Sequence, residues 1–173
     1  MKQKIEFSYY ELSLLSFLKE SHPELASDIN FIKSRADKAA ATHADAFDNG
    51  YAIPSCVEIA NEVLYAGLHF SKHDTIVTVL WNEFAGIVPE GNASEVAIRL
   101  LPLLSPVFKT YALSDEFAYS PEYQKLYTEI TGEIQIIWER SGPAGSPFIT
   151  DPAASNVRTA NLNDLNAKKR SDV

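Results

Sequence analysis

The stretch Ser120-Pro121-Glu122-Tyr123-Gln124-Lys125-Leu126-Tyr127-Thr128-Glu129-Ile130, running on to Trp138 and Arg140, decides the fold class. A capping hydroxyl, a proline at the first helical position and an acid at the positive end of the dipole mark a helix start. From there Tyr123, Leu126, Tyr127, Ile130, Ile134, Ile137 and Trp138 recur at heptad-like spacing. The segment is predicted to be the longest or central helix of an all-α protein.

The same period extends upstream. Phe7, Tyr10, Leu14, Phe17 and Leu18 form one apolar stripe that Pro23 ends. A second helix is expected from a Ser27 cap, with Ile29, Ile32, Ala36, Ala39, Ala40, His43 and Phe47 on one face and Asn49-Gly50 as its stop. A third, from Ser55 to Leu68, sets Val57, Ala60, Leu64, Gly67 and Leu68 inward, its small residues suggesting close helix approach. Thr75-Ile76-Val77-Thr78-Val79 is β-branched, but the pattern continues through Leu80, Trp81, Phe84 and Ile87, which favours a helix capped by Ser71. A fifth begins near Asn92 or Ser94. It is expected to kink or break at Pro102 and Pro106, with Leu103, Val107 and Phe108 packing inward. The whole reads as a single multihelical domain of about six or seven helices.

The chain has 173 residues and a formal net charge of −8, a length suited to one domain. Composition shifts at Ser141-Gly142-Pro143. Residues 1–140 hold 11 basic and 20 acidic side chains, and residues 141–173 hold 4 and 3. The second part reads as a linker and tail, disordered or docked, ending in Lys168-Lys169-Arg170. The acidic balance argues against direct nucleic-acid binding. No apolar run approaches the roughly 20 residues that span a bilayer. Cys56 is alone, so neither an intramolecular disulfide nor a multi-cysteine zinc site is open to it. The first stripe is interrupted by Glu11 and several serines and lacks a signal-peptide cleavage pattern, which points to the cytoplasm.

Catalytic signatures are sparse. No nucleophile elbow, phosphate loop or dinucleotide fingerprint is present, and no cofactor is expected. His69 and His73 have the i, i+4 spacing of a helical zinc pair, without the accompanying Glu and across a helix boundary at Ser71. Glu58 and Glu62 share a helix face with His69, though Glu62 and His69 lie about 10 Å apart along the axis. These four define a metal-binding or hydrolytic alternative, against a solvated polar face. His43 lies on an apolar stripe, where histidine is ordinarily a boundary residue. Cys56 near a helix start reads as buried and inert.

Binding is better served. Tyr111, Phe117, Tyr119, Tyr123 and Tyr127 crowd a segment carrying Asp115, Glu116 and Glu122. Tyrosines are favoured at protein interfaces, and only Lys109 and Lys125 are near enough to support nucleic-acid stacking. Asp115, Glu116, Tyr119 and Tyr123 are therefore the candidate binding residues, with a protein as partner and a homodimer compatible. The bland reading is that the tyrosines fill the boundary between the last two helices.

Several strings together resemble a known family. They are Ser8-Tyr9-Tyr10-Glu11-Leu12 through Ser21-His22-Pro23-Glu24, Ala60-Asn61-Glu62-Val63-Leu64 through Gly67-Leu68-His69-Phe70-Ser71-Lys72, Leu80-Trp81-Asn82-Glu83-Phe84, and Leu113-Ser114-Asp115-Glu116-Phe117-Ala118-Tyr119-Ser120-Pro121-Glu122-Tyr123. Over about residues 1–140 the chain resembles a domain-of-unknown-function family of small all-helical proteins from Bacteroidetes, often carried on conjugative transposons. Some relatives are joined to large DNA-processing proteins of the helicase or methylase kind. The resemblance implies an all-α fold, a bacterial cytoplasm and a mobile-element setting, and it carries over no catalytic residue. A non-enzymatic accessory or interaction domain is the expected function. An acidic DNA mimic is a further alternative.

Overall fold

The computed structural model describes residues 8–141 and 147–148. Six α-helices follow one another: α1 (Tyr9–Ser21), α2 (Ile29–Asp48), α3 (Ile53–Tyr65), α4 (Lys72–Glu83), α5 (Ala93–Phe108) and α6 (Pro121–Ser141). Single 3-10 turns at Glu90–Asn92 and Phe117–Tyr119 precede α5 and α6. Among the described residues there is no strand, and no helix is long and apolar enough to cross a membrane. Phe7, the first residue of the α1 stripe, and most of the segment after Ser141 lie outside the described residues.

Local chemistry accounts for the boundaries. Ser8 and Glu11 form a reciprocal capping box at the start of α1. Asp28, not Ser27, caps α2, accepting from the Phe31 amide at 2.9 Å. Gly50 (φ +84°) takes the left-handed turn that closes α2. The third helix ends at Tyr65, sooner than its apolar pattern suggests. Gly67 is not an inward packing position. It is exposed and holds φ +77°, the conformation that lets the chain leave α3. Arg35 of α2 donates to the Val63 and Ala66 carbonyls (3.1 and 2.6 Å), so a cation closes the negative end of α3.

The prolines of α5 do not break it. Pro102 and Pro106 both lie inside one continuous helix, each removing an amide donor. They stand four residues apart on its exposed side, beside Leu103, which is 49% exposed rather than inward. Water can reach the side of the helix where the hydrogen bonds are lost, and the buried stripe of Val96, Ala97, Leu100, Leu104 and Phe108 packs uninterrupted.

Two buried clusters result. Leu14, Leu18, Ile32, Ala39, Ala60, Leu64 and Leu68 join α1, α2 and α3. The other, larger cluster joins α4, α5 and α6 around Ile76, Leu80, Leu100, Leu104, Leu126, Ile130 and Ile134. Phe148 belongs to it, buried and set edge-on to Trp138 at 5.0 Å. The chain thus packs against α6 again seven residues after that helix ends.

Candidate functional site

The segment between α5 and α6 brings the predicted binding residues onto one turn and then divides them. Phe117 is buried and anchors the turn, edge-on to Phe70 (5.0 Å) and Tyr111 (5.7 Å), with Tyr123 6.5 Å away. Tyr111 and Tyr123 are half-buried against the larger cluster. Tyr127 is also half-buried, its hydroxyl donating to Glu83 at 2.9 Å. These tyrosines fill a helix boundary. Tyr119 does not: it is 86% exposed, next to the exposed Glu116.

Asp115 faces inward along the chain rather than outward. Its carboxylate accepts from the amides of Gly67 (2.8 Å) and His69 (3.0 Å) and lies 3.1 Å from His69 Nδ1. Burial would raise its pKa, but the two amides and His69 outweigh that and hold it below the ordinary carboxylate value. This tie joins the α3–α4 loop to the turn that presents Tyr119. The Asp–His pair resembles a general-base dyad in its contacts. His69 is nevertheless 61% exposed in its side chain, open to solvent on the side away from Asp115.

The residues of the metal alternative are not brought together. Glu58 and Glu62 are exposed on α3, His69 stands in the loop, and Ser71 separates it from His73 by starting α4. His73 is buried, not a surface residue. Its Nδ1 lies 2.9 Å from Asp74 and its Nε2 3.0 Å from Ser94 Oγ at the start of α5. Among the described residues no group of three His, Cys, Asp or Glu side chains is placed to hold a metal ion. His43 is half-buried beside Tyr10, with ring centroids 6.4 Å apart. Cys56 is fully buried, with its sulfur 3.5 Å from the Tyr51 carbonyl.

A second polar constellation lies where the two clusters meet. Among the described residues the buried polar ones are His22, Ser71, His73 and Thr75, all at the end of α1 or the start of α4. His22 Nε2 donates to the Leu68 carbonyl at 2.8 Å, and its other nitrogen faces Glu24 at 3.9 Å. Ser71 donates to the Ser21 carbonyl and accepts from the Asp74 amide, and Thr75 donates back to the Ser71 carbonyl. Burial alone would lower the His22 pKa, but Glu24, the Leu68 carbonyl and Asp74 together raise it. Burial would likewise raise Asp74 and Glu24, and their histidine partners hold both low. Every buried polar side-chain atom here is paired, as a low-dielectric site requires. Helical periodicity passes over this junction, since each half is only a short polar interruption. Its one sequence signal is a pair of Ser–His boundaries, Ser21-His22 and Ser71-Lys72-His73, about fifty residues apart.

Residues 2–142 match the family described as Domain of unknown function (DUF1896). The chain belongs to this family. The crystal structure of protein PG0816 from Porphyromonas gingivalis is similar to it, with 38% sequence identity and a TM-score of 0.75 over 83% of this chain and 94% of that one. No curated protein matches. The DUF1896 match spans all six helices, the tie at Asp115 and the junction at His22.

Proposed function

We propose that this DUF1896 domain is a non-enzymatic protein-interaction module whose contact surface centres on Tyr119 and Glu116, with Asp115 and Tyr123 holding the turn that presents them. The observation that carries this reading is the 86% exposure of Tyr119 on a turn fixed from beneath by buried Phe117. A large amphipathic ring on a rigid mount loses little conformational entropy on binding, which is why tyrosine recurs as an interface anchor. The net charge of −8 supports a protein partner over direct contact with nucleic acid. The family resemblance supports a place in a bacterial cytoplasm, beside the DNA-processing machinery of a mobile element and reached through that partner.

Photo-crosslinking tests the reading. A photoreactive phenylalanine at position 119 should capture one dominant partner from the native cell, and Glu116→Lys should abolish the adduct. The same probe at exposed Leu103 serves as control. Identical adducts from positions 119 and 103 would show that the turn has no partner of its own.

A further inference from the structure

The turn between α2 and α3 leaves three large apolar side chains in water. Residues 47–54 are all exposed, and among them Phe47, Tyr51 and Ile53 are 56, 54 and 62% exposed. The turn itself is fixed. The amides of Asn49, Gly50 and Tyr51 donate to the carbonyls of Asp45, Phe47 and Ala46 at 3.0, 2.9 and 3.2 Å. The Asn49 side chain adds a bond to the Asp45 carbonyl at 2.7 Å. Apolar residues scattered singly over a surface need no partner, but three on one rigid turn form a patch.

The charge around the patch has one sign. Between Lys38 and Lys72 the chain has no lysine or arginine, while Asp45, Asp48 and Glu58 stand exposed on the two arms of the turn. None of the ion pairs among the described residues involves these three. A cover for this end therefore has to bring apolar side chains and positive charge. The chain holds both just ahead of α1. Tyr10 packs beside His43, with ring centroids 6.4 Å apart, and Phe47 lies one turn further along the same side of α2. The chain before Ser8 thus enters α1 from the side of the patch. Its residues are Lys2-Gln3-Lys4-Ile5-Glu6-Phe7, with Phe7 in phase with the Tyr10 stripe. Six extended residues reach about 20 Å. The DUF1896 match starts at residue 2, so this segment belongs to the domain.

We propose that residues 2–7 form a strap over the α2–α3 turn of their own chain. Ile5 and Phe7 cover Phe47, Tyr51 and Ile53, and Lys2 and Lys4 face Asp45, Asp48 and Glu58. The strap closes the α1–α3 half at the end of α1 opposite its junction with α4. The turn and Tyr119 belong to different halves, and the inference stands without the reading of Tyr119.

Amide hydrogen exchange on the full chain and on a variant lacking residues 2–7 tests this. The deletion should speed exchange at residues 49–53 about fivefold or more and leave α4–α6 unchanged. Ser8 and Glu11 remain, so α1 keeps its capping box and the loss is not one of folding. A second variant keeps the full length. Lys2→Glu with Lys4→Glu should speed exchange at the same residues about threefold, the scale of partly exposed charges. Adding Asp45→Lys with Asp48→Lys should reverse that change. Faster exchange confined to residues 9–12 overturns the proposal, since Phe7 would then only pack on Leu12, which is 54% exposed in the first turn of α1. An effect that varies with protein concentration also overturns it, because the segment of a second copy would be the occupant. So does exchange at residues 49–53 that neither variant alters.

Discussion

The helices α2 and α5 show how differently the two halves of this molecule reach a dry interior. In its 20 residues α2 buries Ile32, Ala36, Ala39 and Ala46, so three of its four buried side chains are single methyl groups. Helix α5 has 16 residues and buries Val96, Leu100, Leu104 and Phe108 besides two alanines. Small side chains bring backbones together and gain through close approach, while large ones gain through the apolar area they remove from water. The α2 face therefore has little volume to lose and no room to add, although Leu14, Leu18 and Leu64 fill the rest of its cluster. The α4–α6 half has volume to lose. Between them the polar junction of His22, Ser71, His73 and Thr75 contributes direction rather than area.

The contrast breaks most visibly at Leu104. Leu104→Ala, at a fully buried site in the larger cluster, should cost about 3–4 kcal/mol through lost transfer energy and a residual cavity. Urea denaturation would show it as a lower midpoint. A loss under about 1 kcal/mol would mean that this half collapses around deletions and is not packed by volume. The complementary change is Ala60→Leu, at a fully buried position of α3 facing α2. Overpacking should cost about 2 kcal/mol there, with displaced α2 resonances, whereas a neutral outcome would refute close approach as the packing mode.

These two sites also mark what periodicity could and could not reveal. The helix count and the buried stripes of α1, α4 and α6 were legible because period 3.6 is a property of neighbouring residues. Gly67 was misread as a packing position because a small residue in phase with a stripe looks the same whether it packs or turns the chain. The prolines of α5 were expected to break it, because only the tertiary placement shows that the lost donors face water. Asp115 and Tyr123 were legible as an unusual cluster, yet their partners Gly67, His69 and Phe70 lie on another segment, and no local pattern shows that. Phe148 stood in a segment with few large apolar neighbours, so nothing nearby signalled its burial against Trp138.

Cutting the Asp115 tie should have a smaller effect than either core change. Asp115→Asn keeps the shape and weakens two amide contacts, for a loss of about 1 kcal/mol. Because the folded pKa is depressed, the tie contributes fully above the unfolded value near 3.8 and is lost as pH falls through the folded value. Wild type and variant should therefore converge in stability on acidification. A constant gap down to low pH would mean that the carboxylate charge is not what holds the loop.

The junction has the opposite sign. The His22 pKa is raised, so its contribution is fully present below the unfolded value of 6.5 and lost as pH rises through the folded one. His22→Gln can keep the bond to the Leu68 carbonyl but cannot take up the proton. Stability measured from pH 5.5 to 8 should decline in wild type and be flatter in the variant. Parallel profiles would place the junction outside the pH response and leave only its hydrogen bonds as the link between halves.

Tyr119 is the limiting case, a large residue that belongs to neither core. Tyr119→Ala should change stability by less than about 0.5 kcal/mol, since an 86% exposed ring has little to lose on truncation. Tyr123→Ala removes a ring packed beside Phe70 and Phe117 and should destabilise measurably by the same assay. The pair separates presentation from support. If Tyr119→Ala destabilised as much as Tyr123→Ala, the exposed ring would be part of the fold. If it left the fold intact while the position-119 adduct disappeared on Glu116→Lys, the ring would be retained for what it meets outside the chain.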